Sequence, residues 1–167
     1  MKDKKRVEVK GTVESFIEDA KSDAEGLKEE MEEWRDNMGQ NEGLMATSKY
    51  ETIDQTANDL DSGCNELDGI TVPDSLGEIE ITTTVWRPYG KQAPSRADRM
   101  GEVSCLLNEA KDALEGIDPE EFLKGKAEGT ELENLKTELE ADRDELVSAI
   151  DSALSTFESC EFPGMFG

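Results

Sequence analysis

The sequence predicts a mainly α fold, with two antiparallel helical hairpins forming a bundle and a short β-like connector between them. Three observations carry this. Apolar residues recur at steps of three and four through several long stretches, the period of an amphipathic helix. Hydroxyl caps and glycines punctuate those stretches. One segment, Ile79 to Val85, alternates instead with period two and is rich in β-branched residues, the mark of a strand.

Residues 1–10 form a basic leader with five cations and two acids, in which Val7 and Val9 alternate with charges. It reads as a short strand or a frayed end. Residues 11–69 form the first hairpin. Its opening stripe is Val13, Phe16, Ala20, Ala24, Leu27, Met31, Trp34 and Met38, and Gly39 is placed to stop the helix. A capping box is expected at Ser48-Lys49-Tyr50-Glu51. The second stripe then runs Tyr50, Ile53, Ala57, Leu60, Cys64 and Leu67, with Gly69 and Pro73 ending the helix.

Residues 70–93 are the β-like connector. Its strand over 79–85 needs a partner, either Val7-Val9 or a second copy of the chain, and Trp86-Arg87-Pro88-Tyr89-Gly90 reads as a turn. Residues 94–160 form the second hairpin. Ser95 and Asp98 are placed to cap its first helix, whose stripe is Met100, Val103, Leu106, Leu107, Ala110, Leu114 and Ile117. Pro119 opens a short helical turn. Thr130 to Glu133 should cap a long last helix with core positions Leu132, Leu135, Leu139, Leu146, Ile150, Ala153, Leu154 and Phe157. Asp142 falls on that stripe, where a polar group can fix register or oligomeric state, or mark a wet end of the bundle. Residues 161–167 are an apolar tail that Pro163 and Gly164 keep from being helical throughout.

Charge dominates the composition. There are 41 acids against 18 cations, a net of −23. Twelve of the cations are lysines, which argues against a halophilic adaptation. The acids concentrate in two blocks, residues 11–83 and 101–167, on either side of a basic stretch at 84–100. Such a field repels nucleic acid and anionic membranes, so neither is expected as a direct partner, and attracts basic protein surfaces. With no histidine, Ser-His-Asp and Cys-His centres are excluded. The cysteines Cys64, Cys105 and Cys160 form no CxxC pair, so they are expected to be reduced, apolar and cytosolic. No metal, cofactor or enzymatic activity is expected. No apolar run reaches membrane-spanning length, and the basic start has no hydrophobic stretch behind it. The cytoplasm is the expected location.

Four features are candidates for function. The first is an acidic face made by Glu29, Glu30, Glu32, Glu33 and Asp36 together with Glu138, Glu140, Asp144 and Glu145. Spread over a bundle roughly 40 Å long, the net charge averages about one per 1.7 Å of axis, near the density of duplex DNA. The bland alternative is a solvated exterior that keeps the protein soluble. The second is the carboxylate run Glu29 to Asp36 read as an acid–base or cation site, which nothing positions against a nucleophile. The third is the aromatic, cationic connector with Trp86, Arg87 and Tyr89. Its cations are expected mainly to dock on the chain's own helices or on a neighbouring subunit. The fourth is the tail, where Phe162, Met165 and Phe166 either fold back over the bundle or insert into a partner.

The run Trp34-Arg35-Asp36-Asn37-Met38, followed by Ser48-Lys49-Tyr50-Glu51, resembles a pattern in small acidic helical proteins of tailed bacteriophages. That pattern usually continues with Pro-Glu, where Gly39-Gln40 stands here. The segments Pro94 to Arg99 and Glu161 to Met165 are also similar to phage sequences. No assigned activity comes with the resemblance. It implies a host-directed inhibitor, since phages carry acidic proteins that imitate DNA and block restriction or CRISPR machinery. The expectation is therefore a non-enzymatic protein in the host cytoplasm that occupies a basic, nucleic-acid-binding host protein. The alternative is a homo-oligomeric structural or assembly component of a virion.

Overall fold

The computed structural model describes residues 4–88 and 94–163. These are mainly helical, at 71%, with one two-stranded antiparallel sheet. In chain order the elements are β1 (Lys4–Thr12), α1 (Val13–Gly39), α2 (Glu42–Met45), α3 (Ser48–Asp68), α4 (Asp74–Gly77), β2 (Glu80–Pro88), α5 (Arg96–Glu115), α6 (Pro119–Phe122) and α7 (Gly129–Glu158).

The basic leader is a strand because its valines match those of the connector. Val7 lies opposite Val85 and Val9 opposite Thr83. The sheet is thus made within one chain, which settles the partner of the connector strand. β2 also runs further than expected, since Trp86, Arg87 and Pro88 pair with Arg6, Lys5 and Lys4. The turn expected from Trp86 is therefore strand as far as Pro88, and Tyr89 and Gly90 lie outside the described residues. Proline is tolerated there because it ends the ladder.

Thr12 closes β1 and caps α1 in the same step. Its hydroxyl accepts from the Ser15 amide at 3.1 Å, and the Ser15 hydroxyl accepts from the Thr12 amide at 2.7 Å. The Val13 amide then donates to the Ile79 carbonyl at 2.9 Å, tying the start of α1 to the entry of β2. At α5 the Ser95–Asp98 box forms as read, at 3.0 and 3.4 Å. Two other caps differ. Thr47, not Ser48, caps α3, with its hydroxyl accepting from the Tyr50 amide. Either hydroxyl could serve, and the chain uses the earlier one. α7 starts at Gly129 without a side-chain cap. Gly125 and Gly129 both have positive φ, and this backbone turn, open to glycine, leads into the helix where Thr130 was expected to.

The core is a single apolar cluster. α1 packs against α3 and α5, and α7 packs against the same two helices. Every predicted stripe residue of α1 is buried except Trp34, which is half-buried. α7 outruns its neighbours. Lys111 of α5 meets Asp151 at 2.7 Å, while Arg143 already reaches Ile117, past the end of α5, at 3.5 Å. Residues before 143 therefore extend beyond α5 and meet α6 and the turn after it, where Lys136 pairs with Glu120 at 2.7 Å. Asp142 is exposed on this overhang, so its place on the stripe marks a wet end and not a buried register signal.

Phe157 is seated directly on α3 at Gly63, where an added Cβ would lie 2.7 Å from the ring Cζ. Alanine ordinarily favours a helix interior by about 1 kcal/mol over glycine. Gly63→Ala should nonetheless destabilise the protein by about 1–3 kcal/mol through overpacking, read by denaturant unfolding. The same change in a Phe157→Leu background should be close to neutral.

Candidate functional site

The acids predicted to form one face are divided between two places. On α1, Glu29, Glu33 and Asp36 are exposed and Glu32 is half-buried. Glu30 faces α5, where it binds Arg99 and lies 3.5 Å from Arg96. It is a structural carboxylate and not a free one. On α7, Glu138, Glu140, Asp144 and Glu145 are all exposed, Asp144 lying 3.3 Å from Arg143. The first group sits by the beginning of α5 and the second beyond its end. The 20 residues of α5 span about 30 Å, so the two groups occupy opposite ends of the molecule.

The cations explain why the surface is so acidic. Eleven described lysines and arginines form ion pairs, and nine of them join two different elements. The most regular set lies on the α1–α3 seam. Lys21 meets Asp68 at 2.5 Å, Lys28 meets Asp61 at 3.6 Å and Arg35 meets Asp54 at 3.5 Å. Each step forward by seven on α1 is a step back by seven on α3, so these helices run in opposite directions. The same spacing of seven is present in the sequence, but it lies outside the apolar stripes. Hydrogen bonding to their carboxylates raises the pKa values of Lys21 and Lys111 above the usual lysine value, and Lys21 in turn lowers that of Asp68. With the cations held in the seams, the outward faces keep the unpaired acids.

Two cations of the ribbon dock on the chain's own α5. Arg87 binds Glu102 of α5 at 2.5 Å, and Lys4 binds Asp98 at 2.7 Å, holding that carboxyl below the usual carboxylate range. Trp86 stays 60% exposed on the outer face of the ribbon, with the Arg6 guanidinium 5.7 Å from its ring. Tyr89 lies outside the described residues. Trp34 is likewise approached by Lys49 and Arg96, at 5.4 and 5.0 Å.

The start of the tail folds back. Thr56, only 1% exposed, donates to the Glu161 carbonyl at 2.8 Å and accepts from the Glu161 amide at 3.0 Å. Phe162 packs half-buried against the core. Met165 and Phe166 lie outside the described residues. A feature that the sequence reading passed over is α2, whose Leu44 and Met45 are exposed at the tip between α1 and α3. Polar caps hold that turn, with Asn41 accepting from Gly43 and Leu44 and Thr47 donating to the Leu44 carbonyl.

The remaining chemistry is sparse. Burial pushes the Cys64 thiol up to about 11 and that of Cys160 to about 12, and raises Cys105 as well. Such thiols are poor nucleophiles near neutrality. Among the described residues no group of three or more potential ligands could hold a metal ion, and no helix is long and apolar enough to cross a membrane. The chain matches no known family profile, no curated protein and no solved structure.

Asp23 shows what the crowded acids cost. Desolvation, then the charges of Glu102 and Asp19, raise its carboxyl above the ordinary value. The folded state therefore binds the proton more tightly than the unfolded chain, and the ionised carboxylate destabilises the fold above that raised pKa. Asp23→Asn should raise the thermal midpoint at pH 7. The gain should vanish near about pH 3, where the wild-type carboxyl is protonated in both states. Melting curves at the two pH values check this.

Proposed function

We propose that this chain is a non-enzymatic, phage-type inhibitor that binds a basic, nucleic-acid-binding host protein through its acidic exterior, in the host cytoplasm. The observation that carries the reading is where the charges go. Cations sit between elements, and carboxylates are left on the outside of a net charge of −23. A rigid, electronegative body of this kind competes for a groove built to hold phosphates. We take the helices to close as two antiparallel hairpins forming a bundle, which keeps the acids of both ends at fixed positions.

The exposed acids of α7 are the favoured contact. They are exposed on the part of α7 that runs past α5 and packs against α6, so its outward side is open to a groove. The α1 acids at the other end would serve a second contact or keep the protein soluble. The features that suggested a virion component have places within one chain. The connector strand pairs with β1, and Asp142 faces solvent.

The test is capture from host lysate at low salt, elution with a salt gradient, and competition by duplex DNA. The captured partner should be basic and should bind nucleic acid. Its affinity should fall at least roughly tenfold from about 50 to about 200 mM salt, and DNA should displace it. Replacing Glu138, Glu140 and Glu145 together by glutamine should weaken binding, while replacing Glu29 and Glu33 should weaken it less. A partner that DNA does not displace, or that holds equally well at high salt, would remove this reading.

A further inference from the structure

Phe157 of α7 meets Gly63 of α3, and the Ser152 and Thr156 hydroxyls donate to Glu66 at 3.3 and 3.0 Å. The two helices therefore run in opposite directions, and α7 continues past the end of α3. A groove of about 210 Å³ lies there, between α7 and the segment that follows α3. Ile70, Pro73, Leu146 and Ala149 give it apolar walls, Leu146 being buried and the other three half-buried. Asp142 and Glu145 stand at its edge, both exposed. They are three residues apart on α7, which sets their side chains on one helical face.

Nothing in the chain neutralises these two carboxylates. Among the described residues neither has an ion pair or a hydrogen bond. Arg143, between them in sequence, is held by Asp144 and the Ile117 carbonyl. Lys21, which reaches the end of α3, is held by Asp68. The end of α3 adds to the same field. Gly69, its C-terminal cap, lines the groove, and the last turn of α3 carries no basic residue. A helix C-terminus bears about half a negative charge. Apolar walls and uncompensated negative potential thus meet in one groove.

We infer that this groove takes the side chain of one arginine from the basic partner. Its methylenes lie against Ile70, Pro73 and Leu146, and its guanidinium between Asp142 and Glu145. The inference rests on the proposed binding of a basic, nucleic-acid-binding protein, and it names the group that this part of α7 recognises. Arginine has the matching shape, an apolar stem that ends in a charge. Its planar fork presents five donors and can serve two carboxylates at once. The groove is smaller than a usual small-ligand pocket of about 300–1,000 Å³, and suits one side chain. Two carboxylates alone give a divalent cation too few ligands. Arginine is also the side chain that grips phosphates bidentately, so its capture here denies that grip to a nucleic acid.

Amide NMR of the nitrogen-labelled chain, titrated with N-acetylarginine amide, tests the inference, with the uncharged citrulline analogue as control. Saturable shifts are expected at the amides of Ile70, Thr71, Leu146 and Ala149, with a dissociation constant on the order of 1–10 mM, as suits a single side chain. The citrulline analogue should give none. Asp142→Asn combined with Glu145→Gln should weaken binding about tenfold or more, through loss of hydrogen bonds to charged groups. Ala149→Leu keeps every charge but fills the groove, and should abolish the saturable shifts. Both variants should keep the wild-type thermal midpoint, since neither alters a fully buried position. With the partner captured from lysate, Ala149→Leu should lower affinity about tenfold or more, as for a blocked hot-spot pocket. Shifts that never saturate, that spread over the acids of α1 and α7 alike, or that citrulline reproduces overturn the inference and leave the inhibitory reading standing. Full partner affinity in Ala149→Leu also overturns it. Failure of the inhibitory reading shows itself elsewhere, in a partner that DNA does not displace.

Discussion

The constraint on which the structure depends is self-repulsion. A chain carrying −23 must bring four long helices together, and each approach of two acidic faces is opposed by Coulomb repulsion. The solution is positional. The scarce cations stand in the seams, where they face carboxylates of a neighbouring element at close range. An exposed ion pair alone contributes only about 0–1 kcal/mol, so the pairs do not hold the fold by their own strength. They remove like-charge contacts at the lines of closest approach and leave apolar burial to supply the stability. The rungs on the α1–α3 seam are seven residues apart, about 10 Å along the axis. That exceeds the screening length of about 8 Å at physiological ionic strength. Each rung therefore acts locally.

Behind the seams, close packing depends on where side chains are missing. Phe157 reaches the backbone of α3 because Gly63 has no Cβ, and Phe16 approaches Gly11 of β1 in the same way. Both rings are fully buried. Glycine in a helix or strand ordinarily weakens it, so these positions trade local propensity for a large aromatic contact. The segment after α7 is fixed by the same region of α3. Thr56, about two helical turns before Gly63, holds Glu161 through both backbone groups.

Helical periodicity made most of the core legible. The stripes from Val13 to Met38 and from Ile53 to Leu67 are buried nearly throughout, because burial against several neighbours imposes the helical repeat directly. Local signals that depend on one residue were read less well. Thr47 and Ser48 are adjacent hydroxyls, and the sequence does not say which will cap. Thr130 looked like a cap, but Gly129 turned the chain first. The pairing of Val7 with Val85 spans nearly half of the chain and has no local signature. Asp142 satisfied the period of α7, yet periodicity is silent about where neighbouring helices stop. Of the candidate site, exposure of the α7 acids was legible. The capture of Glu30 by Arg99 was not, because it depends on the approach of α5 to α1.

The division of the acids changes the comparison with nucleic acid. An average of one charge per about 1.7 Å assumes that the whole net charge lies along one rod, and the structure divides the acids predicted to form one face between α1 and the far part of α7. On residues 128–145, eight acids occupy a length of about 27 Å. Less Lys136 and Arg143, the net is −6, one charge per about 4.5 Å, nearer the axial density of a single strand of DNA than that of a duplex. Lys136 and Arg143 lie within this stretch, but both are tied to carboxylates or to the Ile117 carbonyl, which limits their reach toward a partner. A groove that follows one phosphate backbone is therefore a better match for α7 than one that embraces a duplex.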